Sequence, residues 1–332
     1  MAYKPNMEDI KKLRTMTGAG LADVKKALTD AEGDFNKAME VIREKGQAIA
    51  AKRSDRETSN GCVLVKAADG FAAIVALKCE TDFVANGADY IKLTQDILDA
   101  AVAAKAKNLD EVKALTIADG TKVEDAVVAR SGITGEKMEL DGYNFIEGEN
   151  VEIYDHMGKH TLCTMVQTNK PAAEQAHAIA MQVAAMNPVA LDEASVPQSV
   201  KDEELKVAIE KTKEEQVQKA VEAAIKKAGI NPAHVDSEDH MKSNMEKGWI
   251  SAEDVEKAKQ IIATVSEEKK ANLPEQMIQN IAKGRMAKFF KESCLLNQEF
   301  IQDSKLSVTD YLKAADKELT IVDFKRFTLR AD

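Results

Sequence analysis

The first 50 residues carry apolar side chains at the spacing of three short amphipathic helices. Asn6 with Asp9 resembles a capping pair at the start of the first helix, and the third is predicted to end at Gly46. The charged, serine-containing segment 51–61 that follows is typical of a linker. We therefore predict a separate N-terminal module built on one small core. Its predicted core positions are Met7, Ile10, Leu13, Leu21, Val24, Ala27, Leu28, Phe35, Ala38, Met39 and Ile42.

Two strand-rich segments come next, and both have the order strand, turn, strand and helix. The apolar runs on either side of Asp69 and Gly70 predict a β-hairpin with a partly buried sheet. Residues 150–169 place two further strands around a turn at Gly158. This repeated order predicts two similar α+β subdomains with short antiparallel sheets.

Lys, Glu, Ala and Gln dominate the segment between about residues 200 and 284. Ser199 and Asp202 are predicted to cap a long helix that ends near Gly229, and a second helix returns after Ile250. The pattern favours a long antiparallel helical hairpin. Its charged positions are more typical of a solvated face than of a binding surface.

The sequence thus predicts an α+β protein with a three-helix N-terminal module, two similar subdomains and a long helical hairpin. The predicted segments are the module with its linker at 1–55, the first subdomain at 56–140, the second at 141–199, the hairpin insertion at 200–284 and the return to the second subdomain at 285–332.

Composition narrows the class of protein. An apolar fraction of 44% over 332 residues excludes a disordered chain and suits two or three domains. The net charge of -10 argues against a protein that binds nucleic acid directly. The first residues lack the apolar core of a signal peptide, and no apolar run reaches membrane-spanning length. We expect a cytoplasmic protein without a membrane segment.

Motifs for bond-making chemistry are missing from the sequence. No phosphate-binding loop, zinc-protease motif or nucleophile elbow is present. His156 and His160 flank the turn at Gly158 and could share a metal, with Asp155 adjacent, but a surface turn explains them more simply because no third ligand of suitable type lies nearby in the sequence. Four cysteines without a C-x-x-C pair are typical of reduced, mostly buried thiols. We predict neither an enzyme nor a cofactor site.

Phe83 raises a separate question, because it stands just before a turn expected at Asn86 and Gly87. One interpretation buries Phe83 and Val84 as the cap of the first sheet. The other exposes Phe83 at a loop tip as an aromatic anchor for a pocket on another protein. The residues alone favour neither.

Six blocks of the sequence, in order, resemble those of the bacterial elongation factor Ts family. They are LRTMTGAGLADVKKALTDAEGDFNKAMEVIREKG, CETDFVA, YDHMGK, AIAMQVAAMNP, KGRMAKFFKESCLLNQEFIQD and VDFKRF. The resemblance covers the chain except for the hairpin between residues 200 and 275. It implies a guanine-nucleotide exchange factor for the GTPase elongation factor Tu, acting as a heterodimer with higher assemblies left open.

The resemblance also implies a role for three short segments. The N-terminal module, which is similar to ubiquitin-associated domains, docks on the GTPase, and Thr81 to Val84 intrude on its nucleotide domain and dislocate its magnesium. His156 matches a histidine that reaches toward the phosphate-loop side of the nucleotide pocket. The implied contact residues are Leu13, Thr17, Gly18, Ala19, Gly20, Leu21, Thr81, Asp82, Phe83, Val84, His156, Met157 and Gly158. The chain itself is implied to bind neither nucleotide nor metal.

Two adjacent positions depart from the family pattern. Asp141 and Gly142 stand where family members commonly carry two arginines, so contacts made by those arginines are not expected here.

A second interpretation of the whole chain is a scaffold that binds a partner through the ubiquitin-associated-like module alone.

Overall fold

The computed structural model describes residues 3–329 and combines helices with short antiparallel sheets, which confirms the predicted α+β class. The helices and strands, in chain order, are α1 (Met7–Thr17), α2 (Leu21–Asp30), α3 (Phe35–Lys52), β1 (Asn60–Ala68), β2 (Phe71–Cys79), α4 (Asp82–Ala85), α5 (Ala88–Ala104), α6 (Leu109–Ala114), α7 (Val123–Thr134), β3 (Met138–Glu147), β4 (Val151–Asp155), β5 (Leu162–Thr168), α8 (Ala173–Met186), α9 (Gln198–Lys227), α10 (Glu238–Glu246), α11 (Ala252–Ala271), α12 (Glu275–Ser293), β6 (Glu299–Phe300), β7 (Asp303–Ser307), α13 (Val308–Ala315) and β8 (Ile321–Thr328). Single 3-10 turns cover His156–Gly158, Pro232–His234 and Leu295–Asn297.

Helices α1 to α3 form the predicted N-terminal module around a core of their own. The Asn6 side chain accepts a hydrogen bond from the amide of Asp9 at 2.8 Å, which confirms the predicted cap of α1. The predicted end of α3 at Gly46 is wrong, because the helix continues to Lys52. Gly46 marks a contact between helices rather than a helix end.

That contact packs α3 closely on α7 of the first subdomain. A Cβ atom on Gly132 would lie 2.6 Å from the Cα of Gly46, and one on Gly46 would lie 2.7 Å from the carbonyl oxygen of Val128. Both approaches are shorter than real Cβ contacts, so only glycine allows the two backbones to come this near. The module therefore has its own core but is docked on α7, and the expectation of a separate module on a linker needs this correction.

Two three-stranded antiparallel sheets follow the orders β1-β2-β3 and β4-β5-β8, and β6 pairs with β7. Ala68 pairs with Phe71 across the predicted hairpin turn. Asp69 and Gly70 in that turn have φ angles of 51° and 70°, as a tight two-residue hairpin requires. Strand β3 completes the first sheet, so the boundary predicted between residues 140 and 141 falls inside a strand.

Strand β2 is buried on both faces, which corrects the prediction of a partly buried sheet. Phe71, Val75 and Leu77 pack with α5 in one core cluster. Ile74 and its neighbours on the opposite face pack with Met165 of β5 in another. The continuous apolar run in β2 reflects this double burial, because a strand with one solvated face alternates apolar and polar residues.

Asp141 and Gly142 lie in β3 at an irregularity of the first sheet, where Ala76 pairs with Gly142 but Leu77 pairs with Leu140. The Asp141 carboxylate is 3.0 Å from the ammonium of Lys78. A Cβ atom on Gly142 would lie only 2.4 Å from the ring of Phe327. A large side chain in place of Gly142 would collide with that ring.

Residues Asp192–Gln298 form a second unit, which is helical. Helix α9 packs against both α11 and α12, and a small core gathers around its C-terminal end at Ile225. The predicted hairpin therefore corresponds to α9 and α11, with α10 and α12 added. Capping by Ser199 and Asp202 is wrong, because α9 begins at Gln198 after Pro197 and both residues lie within the helix.

Candidate partner-binding surfaces

The turn between α1 and α2 is fixed by its own hydrogen bonds. The Thr17 hydroxyl donates to the carbonyl of Leu13 at 2.7 Å and accepts from the amide of Ala19 at 3.3 Å. Gly18 ends α1 with a φ of 67°, a left-handed conformation that glycine adopts without strain. The segment therefore presents one fixed backbone shape.

The side chains of this turn divide between core and surface. Leu13 and Ala19 are buried in the module, so they hold the turn from beneath and are not available for direct contact. Gly18 and Gly20 are exposed, and Leu21 has 52% of its surface accessible. Sequence reasoning missed Met16, which is 54% exposed in the last turn of α1. An apolar residue that extends a helical stripe without joining its core is the signal that could have identified it.

Thr81 to Val84 form the start of the short helix α4. The Thr81 side chain caps the helix by accepting a hydrogen bond from the amide of Val84 at 3.3 Å. Phe83 is 88% exposed, whereas Val84 packs against the core and Ala85 is buried. The interpretation that exposes Phe83 is therefore correct for Phe83. The interpretation that buries the segment describes only Val84, which is partly buried.

Two glutamates that sequence reasoning missed hold the backbone before α4. Glu136 accepts hydrogen bonds from the amides of Glu80 and Thr81 and from the Thr81 hydroxyl. Glu80 accepts one from the Lys137 amide at 2.7 Å and two from the Arg53 guanidinium at 2.8 and 2.9 Å. The Lys137 amide, followed by the Arg53 guanidinium, lowers the pKa of the Glu80 carboxyl.

Glu80→Gln is expected to lower the free energy of unfolding by about 1 kcal/mol at pH 7, because the charged acceptor is lost. A carboxyl group whose pKa is lower in the folded state stabilises the protein at pH values above its unfolded-state pKa. This stabilisation is lost as the pH falls through its folded-state pKa. The difference between the variant and the wild type should therefore be largest above the ordinary carboxyl pKa of 4.5 and shrink below it. Urea unfolding at several pH values measures it, and a difference that does not change with pH would contradict the assignment.

The turn between β4 and β5 carries His156, Met157 and Gly158, and all three are exposed. Met157 is 70% exposed and has a φ of 58°, a left-handed conformation that is unusual for a residue with a side chain. The Tyr154 hydroxyl is hydrogen-bonded to Nδ1 of His156 at 3.0 Å. This bond fixes the imidazole at the start of the turn.

The far side of the same turn is held by His160. Its amide donates to the Asp155 carboxylate at 3.2 Å, and its Nδ1 lies 2.5 Å from the other oxygen of that carboxylate. Its carbonyl oxygen accepts a hydrogen bond from the Val63 amide of β1 at 2.7 Å. His156 and His160 therefore have different hydrogen-bond partners.

Between residues 3 and 329 no group of three metal-ligating side chains comes together, and no helix there is long and apolar enough to cross a membrane. All four cysteines are buried and unpaired, as predicted. Burial raises the pKa of Cys62 to about 12 and that of Cys79 to about 11, so both thiols are protonated at neutral pH.

Helix α4 lies close to the residues that follow the 156–158 turn. A cavity of about 180 Å³ is lined by Asp82 and Asn86 on the α4 side and by Lys159 and His160 after the turn. The α1–α2 turn contacts α7, the helix that ends just before Glu136. A Cβ atom on Gly18 would lie 3.5 Å from the Ile133 side chain of α7. All three predicted segments thus belong to one unit of the protein.

Comparison with known proteins gives a consistent result. The family model described as elongation factor Ts matches residues 80–231 and 218–331. Elongation factor Ts of Bacteroides fragilis is 70% identical over 327 residues, which cover 98% of this chain and 99% of that protein. The factor of Parabacteroides distasonis is 67% identical over 326 residues, with 98% and 99% covered. That of Porphyromonas gingivalis is 44% identical over 327 residues, with 98% of each covered.

These similarities identify the protein as a translation elongation factor. More narrowly, the chain belongs to the elongation factor Ts family. Its role is that of a nucleotide-exchange factor in translation elongation, and not that of a catalyst of bond-making chemistry. The family implies an interaction with elongation factor Tu.

Proposed function

We propose that this protein releases GDP from elongation factor Tu by inserting α4, with Phe83 foremost, near the magnesium site of the partner's nucleotide pocket. The observation that carries the proposal is the 88% exposure of Phe83 on a helix that is capped by Thr81 and anchored on the core by Val84 and Ala85. An exposed aromatic side chain on a fixed backbone is an effective anchor, because little conformational freedom is lost on binding. Asp82 places an exposed carboxylate beside it.

Two further surfaces hold the partner in this proposal. The α1–α2 turn offers Gly18, Gly20 and Leu21 for docking, while Leu13, Thr17 and Ala19 set its shape. The 156–158 turn offers Met157 as an apolar contact and directs His156 toward the phosphate-loop side of the nucleotide pocket. Thr81 contributes by capping α4. The complex in this proposal is a heterodimer, with higher assemblies left open, and it acts in the cytoplasm.

The energetics require these surfaces to act together. Exchange depends on linkage: the protein must weaken GDP binding by the same factor by which GDP weakens its own binding. Lowering a nucleotide affinity about ten-thousandfold takes roughly 5.5 kcal/mol of differential binding. Burying one phenylalanine contributes only about 1.5–3 kcal/mol. Phe83 therefore supplies a part of the effect, and the docking surfaces supply the rest by favouring the nucleotide-free shape of the GTPase.

A scaffold that uses the N-terminal module alone is the second candidate. The exposed Met16 and Leu21 would serve either function. The scaffold gives no role to Phe83, however, although Phe83 is the most exposed of the large apolar side chains in the part of the chain that is described.

Release of fluorescent GDP from elongation factor Tu tests the proposal. Unlabelled GDP is present in excess and this protein in substoichiometric amounts. Each molecule of an exchange factor accelerates release over many turnovers. A scaffold would bind the GTPase and leave release at its spontaneous rate.

A further inference from the structure

Glu136 makes a set of contacts that differs from those of an ordinary surface carboxylate. It follows Gly135, which ends α7 with a φ of 72°, and it reaches back across 55 sequence positions to Thr81. Its Oε2 accepts from the amides of Glu80 at 3.2 Å and Thr81 at 3.1 Å, and its Oε1 accepts from the Thr81 hydroxyl at 2.6 Å. One carboxylate thus satisfies three donors at the entrance to α4.

The third of these bonds determines how Thr81 can cap α4. A hydroxyl has one proton to donate and lone pairs to accept with. Because the Thr81 proton is used on Glu136, a lone pair of the same oxygen is left to accept from the Val84 amide at 3.3 Å. Glu136 therefore orients the hydroxyl that forms the N-cap.

Helix α4 depends on such support because it has only four residues. One helical turn does not form on its own, since the first turn fixes several dihedral angles for a single hydrogen bond. Ala85 and Val84 anchor the helix on the side of the core. Phe83 points away from that core, and its direction follows from the backbone that Glu136 holds.

We infer that Glu136 is a positioning residue for exchange: it holds the Thr81 cap and thereby aims Phe83, without itself needing to touch the partner. The inference rests on the proposed function, because it matters for exchange only if Phe83 acts there. Since Phe83 is almost fully exposed and adds little to the core, a change confined to the direction of Phe83 would reduce exchange far more than it reduces stability.

The test compares Glu136→Ala with the wild-type full-length protein in the GDP-release assay. The maximal rate is expected to fall about tenfold, a change of about 1.4 kcal/mol. The half-saturating concentration is expected to change little, because the docking surfaces are intact. Glu136→Gln should recover part of the rate. Its carbonyl oxygen still accepts hydrogen bonds from the backbone amides, but its NH₂ group cannot accept the hydrogen bond from the Thr81 hydroxyl. Glu124→Ala, at an exposed position in the first turn of α7, is the matched control.

Repeating the substitution in the Phe83→Ala background separates positioning from general stability. If Glu136 acts through Phe83, Glu136→Ala causes no further loss there. An equal fold-loss in both backgrounds, or no loss in the wild-type background, overturns the inference while the wild type's own activity still supports the proposed function.

Amide hydrogen exchange of residues 82–85 provides a readout that needs no partner. Glu136→Ala is expected to speed exchange of the Val84 amide while protection of β1 and β2 stays unchanged. Unchanged protection of α4 overturns the inference even where release assays fail. A wild type that does not accelerate GDP release would instead reject the proposed function.

Discussion

Phe83→Ala is expected to slow GDP release from elongation factor Tu on the order of tenfold to a hundredfold at saturating concentrations of this protein. The range follows from the roughly 1.5–3 kcal/mol gained by burying one phenylalanine, at about 1.4 kcal/mol for each factor of ten. The side chain is 88% exposed in the free protein, so the free energy of unfolding should change by less than about 0.5 kcal/mol. Stopped-flow measurement of fluorescent GDP release gives the rate.

Binding of the variant should remain measurable, because the α1–α2 and 156–158 turns are untouched. Val322→Ala is a suitable control, since Val322 is an apolar residue 45% exposed in β8, outside the three predicted surfaces. An unchanged rate in a correctly folded Phe83→Ala protein would show that α4 does not act as the inserting element.

Gly132→Ala is expected to destabilise the contact between the N-terminal module and α7. The added methyl group would lie 2.6 Å from the Cα of Gly46, and the obstacle is backbone, which cannot rotate away. Overpacking of this kind typically lowers stability by about 1–3 kcal/mol. Because α3 must move off α7, the docking turn at Gly18 shifts relative to α4, and the affinity for elongation factor Tu should fall together with the unfolding temperature.

Gly284→Ala provides a matched control, because it makes the same substitution at a glycine in helix α12. No atom lies within 4 Å of the added methyl group there. Alanine is favoured over glycine in a helix interior by about 1 kcal/mol, so this variant should be slightly more stable than the wild type. Thermal unfolding and calorimetric titration with elongation factor Tu compare the two variants. Equal behaviour of both would contradict the close packing of α3 on α7.

The features that could be predicted from the sequence are those encoded within a few residues. The cap of α1 at Asn6 and the hairpin turn at Asp69 both depend on neighbours in the chain. Hydrophobic periodicity likewise located the helices of the N-terminal module. Helix ends were less predictable, because the packing of Gly46 against α7 extends α3 past a residue that usually ends helices.

The contacts that hold the candidate site are long-range and left no local signal. Nothing near Thr81 indicates that its hydroxyl meets Glu136, and nothing near Gly132 indicates that it meets Gly46. The exposure of Phe83 was undecided for the same reason. Whether an apolar residue after a strand is covered depends on elements elsewhere in the chain. Here Val84 packs against the core and Phe83 stays exposed.

The affinity of this protein for nucleotide-free and for GDP-bound elongation factor Tu tests the central claim most directly. Calorimetry on both forms, with the wild type and with Phe83→Ala, gives two ratios of dissociation constants. The account predicts that the wild type binds the nucleotide-free form far more tightly and that Phe83→Ala reduces this preference on the order of tenfold or more. Equal affinities of the wild type for the two forms would contradict it, because a ligand without differential affinity cannot shift the equilibrium toward GDP release.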